Sequence, residues 1–254
     1  MIRLAAAIVV LWAITTALML IPDWTALRAS READPIDGLL KTTIVISSFV
    51  FSLVVVLLGY AVWRFRAKPG DESDGKPIHG STRLEIIWTV IPTLIVLFLG
   101  AYSWIVLDDI ESEAAESMPV HVIAQQFAWK FEYPEQGVVS EELHVPVGTQ
   151  LDLRLTALDV VHSFWVPEWR IKRDLVPMAE GNPSDVDNTV RVTPDREGHF
   201  QLVCAELCGL GHAVMRAPVV VESEQEFEQW VAEQQPLEEG GGGQSEGAEA
   251  GAGA

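Results

Sequence analysis

Two cysteines, a histidine and a methionine fall within the twelve residues Cys204-Ala205-Glu206-Leu207-Cys208-Gly209-Leu210-Gly211-His212-Ala213-Val214-Met215, and these cysteines are the only two in the chain. Thiolate, imidazole and thioether together are the donor set that soft copper selects. Zinc would want a fourth cysteine, histidine or carboxylate, and a thioether serves it poorly. The cysteines stand at i and i+4 with Gly209 and Gly211 just after the second. That spacing reads as a tight loop wrapped around something, not as a strand or a long helix. Two bridging thiolates can hold two ions where one thiolate holds one. A further histidine is needed, and His162, on the apolar stretch Asp159-Val160-Val161-His162-Ser163-Phe164, is the best candidate. The competing reading is a Cys204–Cys208 disulfide, common in exported domains, with Met215 as core filler and His162 as a core histidine. The joint occurrence of these residue types at this spacing favours a metal.

The elements that must position these donors are strands. From Val120 onward the chain runs in short apolar stretches separated by turns: 120–124, 127–133, 142–147, 150–156, 160–166, 189–192, 199–204 and 213–221. Pro146, Pro167 and Pro218 belong at strand edges or ends. Many short strands without intervening helices make a sandwich or barrel, and the candidate ligands lie at the ends of late strands. Alternation along Phe127, Trp129, Phe131 and Tyr133 puts four aromatics on one face. Ser223 and Glu226 form a capping box ahead of Phe227, Trp230 and Val231, so one short helix follows the last strand. Residues 236–254, rich in Gly, Ala, Glu, Ser and Gln, cannot bury a core and read as a disordered tail.

The first 107 residues have a different grammar. Residues 4–21 are apolar after Arg3 and read as a signal sequence or an added membrane anchor, with cleavage favoured. Residues 22–41 read as a polar connector broken by Asp34-Pro35 and Asp37-Gly38. The uncharged runs 42–63 and 86–107 are each long enough to span a bilayer as a helix, the second with Pro92 inside it. Between them Arg64, Arg66, Lys68, Lys76 and Arg83 place the loop 64–85 on the cytoplasmic side. The chain therefore divides into residues 1–41, a transmembrane hairpin at 42–107, a β domain at 108–235 outside the cytoplasm, and the tail.

Net charge is −19, which argues against nucleic acid as a partner. From Asp108 onward the chain has 28 acidic and 8 basic residues. Such a domain suits a basic protein partner through electrostatic steering, and equally suits solubility in a salty medium. No CxxCH sequence occurs, so no c-type haem is attached.

Cys204-x-Glu206-x-Cys208-x-x-x-His212-x-x-Met215 resembles the dinuclear copper A motif of cytochrome c oxidase subunit II. Glu85-Ile86-Ile87-Trp88-Thr89-Val90-Ile91-Pro92 matches that family's Glu-x-x-Trp-Thr-x-x-Pro signature, and residues 126–134 resemble its aromatic strand. The resemblance covers about residues 40–235. It implies a transmembrane helical hairpin followed by an all-β cupredoxin-like sandwich. It implies that His162 and Met215 bind one copper, that His212 and the Glu206 carbonyl bind the other, and that Cys204 and Cys208 bridge both. It further implies a magnesium ion at the subunit I interface near the Glu206 side chain, a proton-path entry at Glu85, and docking or interface roles for Asp159 and Asp174. Where this chain has Phe127 the family usually has the tryptophan at which electrons enter, so Trp129 is the alternative entry residue. The function implied is electron transfer from cytochrome c to haem in subunit I, with subunit III as a further partner, in a prokaryotic cell membrane. Oxygen is reduced to water in that complex, with proton translocation. A quinol oxidase subunit II typically lacks the ligands that are present here. A tethered adhesion sandwich with a Cys204–Cys208 disulfide, and a copper-delivery protein, are the readings from other classes.

Overall fold

The computed structural model describes residues 2–22, 24–67, 69–70, 75, 77, 79–177 and 188–234. Lys68 and Lys76 of the basic loop, and the tail at 236–254, lie outside the described residues.

Among the described residues, three helices are long and apolar enough to cross a membrane: α1 (Ile2–Leu20), α2 (Ala33–Phe65) and α3 (Thr82–Ile110). α1 packs along α2. The Trp12 indole N–H donates to the Val45 carbonyl at 3.0 Å, and the Thr15 and Ser52 hydroxyls lie 3.3 Å apart. The Trp12 ring also meets Phe49 edge-on. α2 begins at Ala33, well before the uncharged run, so Asp34-Pro35 and Asp37-Gly38 do not break the chain as expected. The first four N–H groups of a helix have no partner in the helix, so a proline in the first turn forfeits nothing there. α3 carries Pro92 inside it without ending.

The rest is a two-sheet β sandwich. Its strands are β1 (Ser117–Gln125), β2 (Ala128–Tyr133), β3 (Val138–Ser140), β4 (Leu143–Pro146), β5 (Gln150–Ala157), β6 (His162–Val166), β7 (Ile171–Leu175), β8 (Thr189–Val192), β9 (Gly198–Cys204) and β10 (Arg216–Glu222). One sheet has the order β3-β2-β1-β5-β8 and the other β4-β10-β9-β6-β7. β1 pairs with β5, and β4 with β10, in parallel; the other pairs are antiparallel. Alternation does the sorting: Val120 and Val122 of β1, Leu151, Leu153 and Leu155 of β5, and Val219 and Val221 of β10 all point inward and are buried. β3 and β7 are additions to the strands expected from sequence. Ile171-Lys172-Arg173-Asp174-Leu175 buries only its two ends, so its three charged residues hide it from a hydropathy reading.

Helix α4 (Glu224–Glu233) starts at the expected capping box, in which Ser223 Oγ accepts from the Glu226 N–H and the Glu226 carboxylate accepts from the Ser223 N–H. It closes one end of the sandwich, where Trp230 stacks on His144 and meets Tyr133 edge-on. The Tyr133 hydroxyl accepts from the His144 N–H at 2.8 Å and donates to the His144 carbonyl at 3.0 Å.

The segment ahead of α2 is stitched to the sandwich. Ala29 N–H donates to the Glu168 carbonyl and Arg31 N–H to the Thr193 carbonyl, and both carboxylate oxygens of the buried Glu32 accept from the Thr193 N–H. Arg170 adds a second tie. Its guanidinium donates to both oxygens of Asp37 on α2 and to the Ala26 and Pro167 carbonyls. It does so from a left-handed backbone, φ 63°, that costs a non-glycine residue roughly 1 kcal/mol.

Candidate metal centre

The two cysteines frame a loop between neighbouring antiparallel strands. Cys204 ends β9, residues 205–211 form the loop, a short 3-10 turn covers His212–Val214, and β10 resumes at Arg216. The stretch 213–215, expected as strand, is therefore turn and connector. That turn swings both His212 and Met215 back toward the cysteines. The loop is fixed at its base: Cys204 N–H donates to the Met215 carbonyl, and Ala205 N–H to the Ser163 carbonyl on β6. His162 is the first residue of β6, the neighbour of β9 in the same sheet, so pairing of β6 with β9 brings it to the loop.

The six candidate donors converge. The sulfurs of Cys204 and Cys208 lie 3.8 Å apart and are not bonded to each other. Cys204 Sγ is 3.9 Å from His162 Nδ1 and 3.3 Å from the Glu206 carbonyl oxygen. Cys208 Sγ is 3.7 Å from His212 Nδ1 and 3.7 Å from Met215 Sδ. His162, Cys204, Cys208 and Met215 are buried, and His212 closes the site at its half-buried edge. Donor atoms of His162, Cys204 and Cys208 all lie within 4.8 Å of one another. Two ligands held by one ion at bonds of about 2.0–2.3 Å stand roughly 3.3–3.8 Å apart at a tetrahedral angle. The donor set thus fits soft metal in both spacing and chemistry. Burial, and then the neighbouring Cys204 sulfur, push the Cys208 thiol up to about 11. A metal ion entering the site has to displace that proton.

Three residues around the donors were not read as their supports from sequence. Asp159 Oδ1 lies 2.9 Å from His162 Nε2, the ring nitrogen turned away from the sulfurs. Burial pushes the Asp159 carboxyl upward, but hydrogen bonds from His162, the Gln126 N–H and the Val160 N–H outweigh it and hold it below the usual range. A carboxylate on the far nitrogen fixes a ligand histidine's orientation. Gln126 Nε2 donates to the Cys208 carbonyl at 2.5 Å, and its own N–H donates to Asp159 Oδ2, which joins the loop to the His162 side of the site. The acid three residues before His162 was a legible signal, though it was read as docking; nothing in the local sequence marked Gln126. Asp174, also expected at an interface, accepts from Ser163 Oγ and Lys172 Nζ. Those two bonds lead the causes that hold its carboxyl low.

The aromatic stretch divides. Trp129, Phe131 and Tyr133 face inward as expected, but Phe127 precedes β2 and its ring, 39% exposed, lies on the loop glycines. Trp129 is 3% exposed and meets the rings of His162 and Phe164 edge-on at 6.4 Å. A direct contact between Trp129 and a docked electron donor, expected as the alternative to the missing tryptophan, does not fit that burial. Glu85 sits in the first turn of α3, where its carboxylate accepts from the Ser81 N–H at 3.2 Å. It is far along the chain from the donors, and no hydrogen bond among the described residues joins it to them.

Phe127 also explains the loop glycines. A β-carbon on Gly211 would stand 2.5 Å from the base of the Phe127 ring, and one on Gly209 3.2 Å from its edge. Gly209 further needs its positive φ of 129°. Gly211→Val is therefore expected to lower stability by about 1–3 kcal/mol through overpacking. Thermal melting of the variant reads the loss. Adding Phe127→Ala should return part of it, and simple additivity of the two changes would show that the ring is not the obstacle.

Comparisons agree with the geometry. The transmembrane domain of cytochrome c oxidase subunit II matches residues 25–106, and its periplasmic domain matches residues 138–224. α1 lies ahead of the first match. Cytochrome c oxidase subunit 2 of Thermostichus vulcanus is 32% identical over 264 aligned positions, covering 83% of this chain and 78% of the relative. That of Synechocystis is 31% identical, covering 82% and 75%. Among solved structures, the periplasmic domain of cytochrome oxidase subunit II from Bradyrhizobium japonicum is similar, with 26% identity, a TM-score of 0.41, and coverage of 48% of this chain and 94% of that one. With two family regions in the expected order and a donor set at the end of the sandwich, the chain belongs to the cytochrome c oxidase subunit II family.

Proposed function

We propose that the site holds a dinuclear copper centre through which the chain receives electrons from cytochrome c and passes them to haem in subunit I. The chain works as one part of the oxidase complex, with its helices in the prokaryotic cell membrane and its β domain on the periplasmic side. The observation that carries the reading is the convergence of four further donors on two buried, unbonded sulfurs. Held by Cys204 and Cys208 with His162, His212, Met215 and the Glu206 carbonyl, copper would supply one-electron transfer.

The protein's own part is to keep that geometry rigid. Asp159 holds the His162 ring, Gln126 holds the Cys208 carbonyl, and β9 and β10 hold the loop ends. Met215 brings a weak thioether within the buried wall, where it sets the potential more than the affinity. Around the half-buried His212, Leu207, Leu210 and Val214 are exposed. This apolar rim suits close contact with partner proteins, while the acidic domain steers a basic donor from a distance. Phe127 lies at that rim and Trp129 behind it, against His162. Electrons are accordingly assigned to the surface around Phe127 and the loop, with Trp129 as an inner wall. The Glu206 side chain is exposed while its carbonyl faces Cys204, which leaves the carboxylate for a magnesium ion against subunit I. Glu85, exposed at the cytoplasmic start of α3, is assigned to proton entry into subunit I. Subunit III and the bilayer complete the surroundings.

Metal analysis and electron paramagnetic resonance of the full chain test the reading. The expected result is two copper ions per chain with one unpaired electron delocalised over both nuclei. A signal from a single copper would mean a mononuclear site. A Cys204–Cys208 disulfide under handling that preserves metal would return the structural sandwich reading, against which the unbonded sulfurs now stand.

A further inference from the structure

Where α1, the connector and the start of α2 meet, a cleft of about 490 Å³ opens at the outer membrane boundary. Its charged lining is mostly basic: Arg28, Lys41 and Arg170 against the single carboxylate of Asp37. Arg170 is paired with Asp37, and Arg28 with Asp34 and Asp195. Lys41 has no hydrogen-bond or ion-pair partner among the described residues. Its height is fixed by the helix that carries it. Lys41 immediately precedes the uncharged run 42–63, whose 22 residues rise about 33 Å in a helix, close to the roughly 30 Å of a hydrocarbon core. The Lys41 ammonium therefore stands at the depth of the outer-leaflet headgroups.

Below the cleft the surface turns apolar. Met19 and Ile44 line both the cleft and a groove of about 320 Å³ between α1 and α2, floored by Thr15, Leu18, Ser48 and Phe51. Of the hydroxyls along it, Thr15 Oγ1 donates to the Leu11 carbonyl within α1, and the Ser47 and Ser48 side chains are small beside Leu18, Met19, Ile44 and Phe51. The groove is thus lined mainly by apolar side chains. A cup whose unpaired cation among the described residues is Lys41, at headgroup depth and continuing into a mainly apolar groove at acyl depth, has the two-part character of one molecule class. A free phosphate satisfies only the upper half. A transmembrane helix of another subunit satisfies only the lower half, and would leave Lys41 without a counter-charge.

We propose that this cleft is a binding site for one anionic phospholipid, with its phosphate on Lys41 beside Arg28 and Arg170 and an acyl chain along the α1–α2 groove. The site needs α1 to remain in the mature chain, because α1 forms one wall. It is independent of the metal chemistry above. The lipid would bridge α1, α2 and, through Arg170, the β domain.

Native mass spectrometry of the assembled oxidase tests it, with phosphatidylglycerol, phosphatidylcholine and inorganic phosphate as probes. The wild-type subunit should retain one phosphatidylglycerol in preference to phosphatidylcholine, and inorganic phosphate alone should not be retained. Lys41→Gln should cut that preference by about fivefold, the effect of one lysine at a membrane surface. Ile44→Trp, which fills the groove where it joins the cleft, should displace both lipids. Copper content and oxidase activity should stay unchanged in both variants, which separates this outcome from failure of the metal reading. Equal retention by wild type and Lys41→Gln would mean annular lipid only and would overturn the proposal. So would absence of any retained lipid, as expected if a helix of another subunit fills the groove, or a mature subunit lacking residues 2–20.

Discussion

A Cys208→Ser chain is expected to lose the metal centre altogether, with copper affinity falling by more than roughly 100-fold, beyond what loss of an outer supporting group costs. Cys208 stands among three other donors: Cys204 at 3.8 Å, and His212 and Met215 each at 3.7 Å. A serine hydroxyl is a hard, neutral oxygen that stays protonated at neutral pH, so it cannot bridge soft ions. Met215→Leu is the contrast. It preserves volume in a fully buried position and removes only a weak thioether, so copper should stay and the midpoint potential should shift. Copper content and redox titration of the two variants read the difference. Equal copper loss in both would mean that Met215, and not the sulfur pair, organises the site.

The second large effect is expected at the joint between membrane helix and sandwich. Arg170→Ala removes four hydrogen bonds at once and leaves Asp37 without its cation. Breaking a largely buried pair by deleting one partner costs about 3 kcal/mol. The backbone strain at φ 63° is not relieved, because alanine also disfavours the left-handed region. The copper donors are untouched, so copper content should match the wild type. What should change is the rate of electron delivery to subunit I, with earlier proteolytic cleavage between residues 24 and 32. An unaltered melting temperature and delivery rate would show that Glu32 and the backbone pairing around Ser30 hold the joint alone.

Most of the centre was legible because it is local. Five of the six donors lie within twelve consecutive residues, and the sixth opens a strand recognisable by its apolar run. The supports were harder to read for the same reason in reverse. Gln126 reaches Cys208 across 82 positions, and Arg170 reaches Asp37 across 133. No periodicity within a segment encodes such a meeting; it exists only once the sheets have stacked and α2 has docked on the sandwich. The helical spans were read from length and polarity, but the start of α2 was placed late because Pro35 and Gly38 were weighed as breakers. In the first turn the backbone has no intrahelical bond to break, and Glu32 and Asp37 have partners on the sandwich instead. Alternation places Phe127 on one face with Trp129, Phe131 and Tyr133, whereas β2 begins only at Ala128 and the ring turns onto the loop.

The unbroken course of α2 has a mechanical consequence. Its 33 residues run about 50 Å, so its upper turns rise past the lipid and into the ties made by Glu32 and Asp37. A rod clamped at its end to a rigid body moves with that body. When a bilayer thickens or thins by a few ångströms, spanning helices respond by changing tilt. Here the tilt cannot be absorbed at a hinge between α2 and the sandwich, and the metal site must lean with the rod. Membrane thickness thereby becomes a lever on how squarely the electron-carrying end of the protein faces its neighbours.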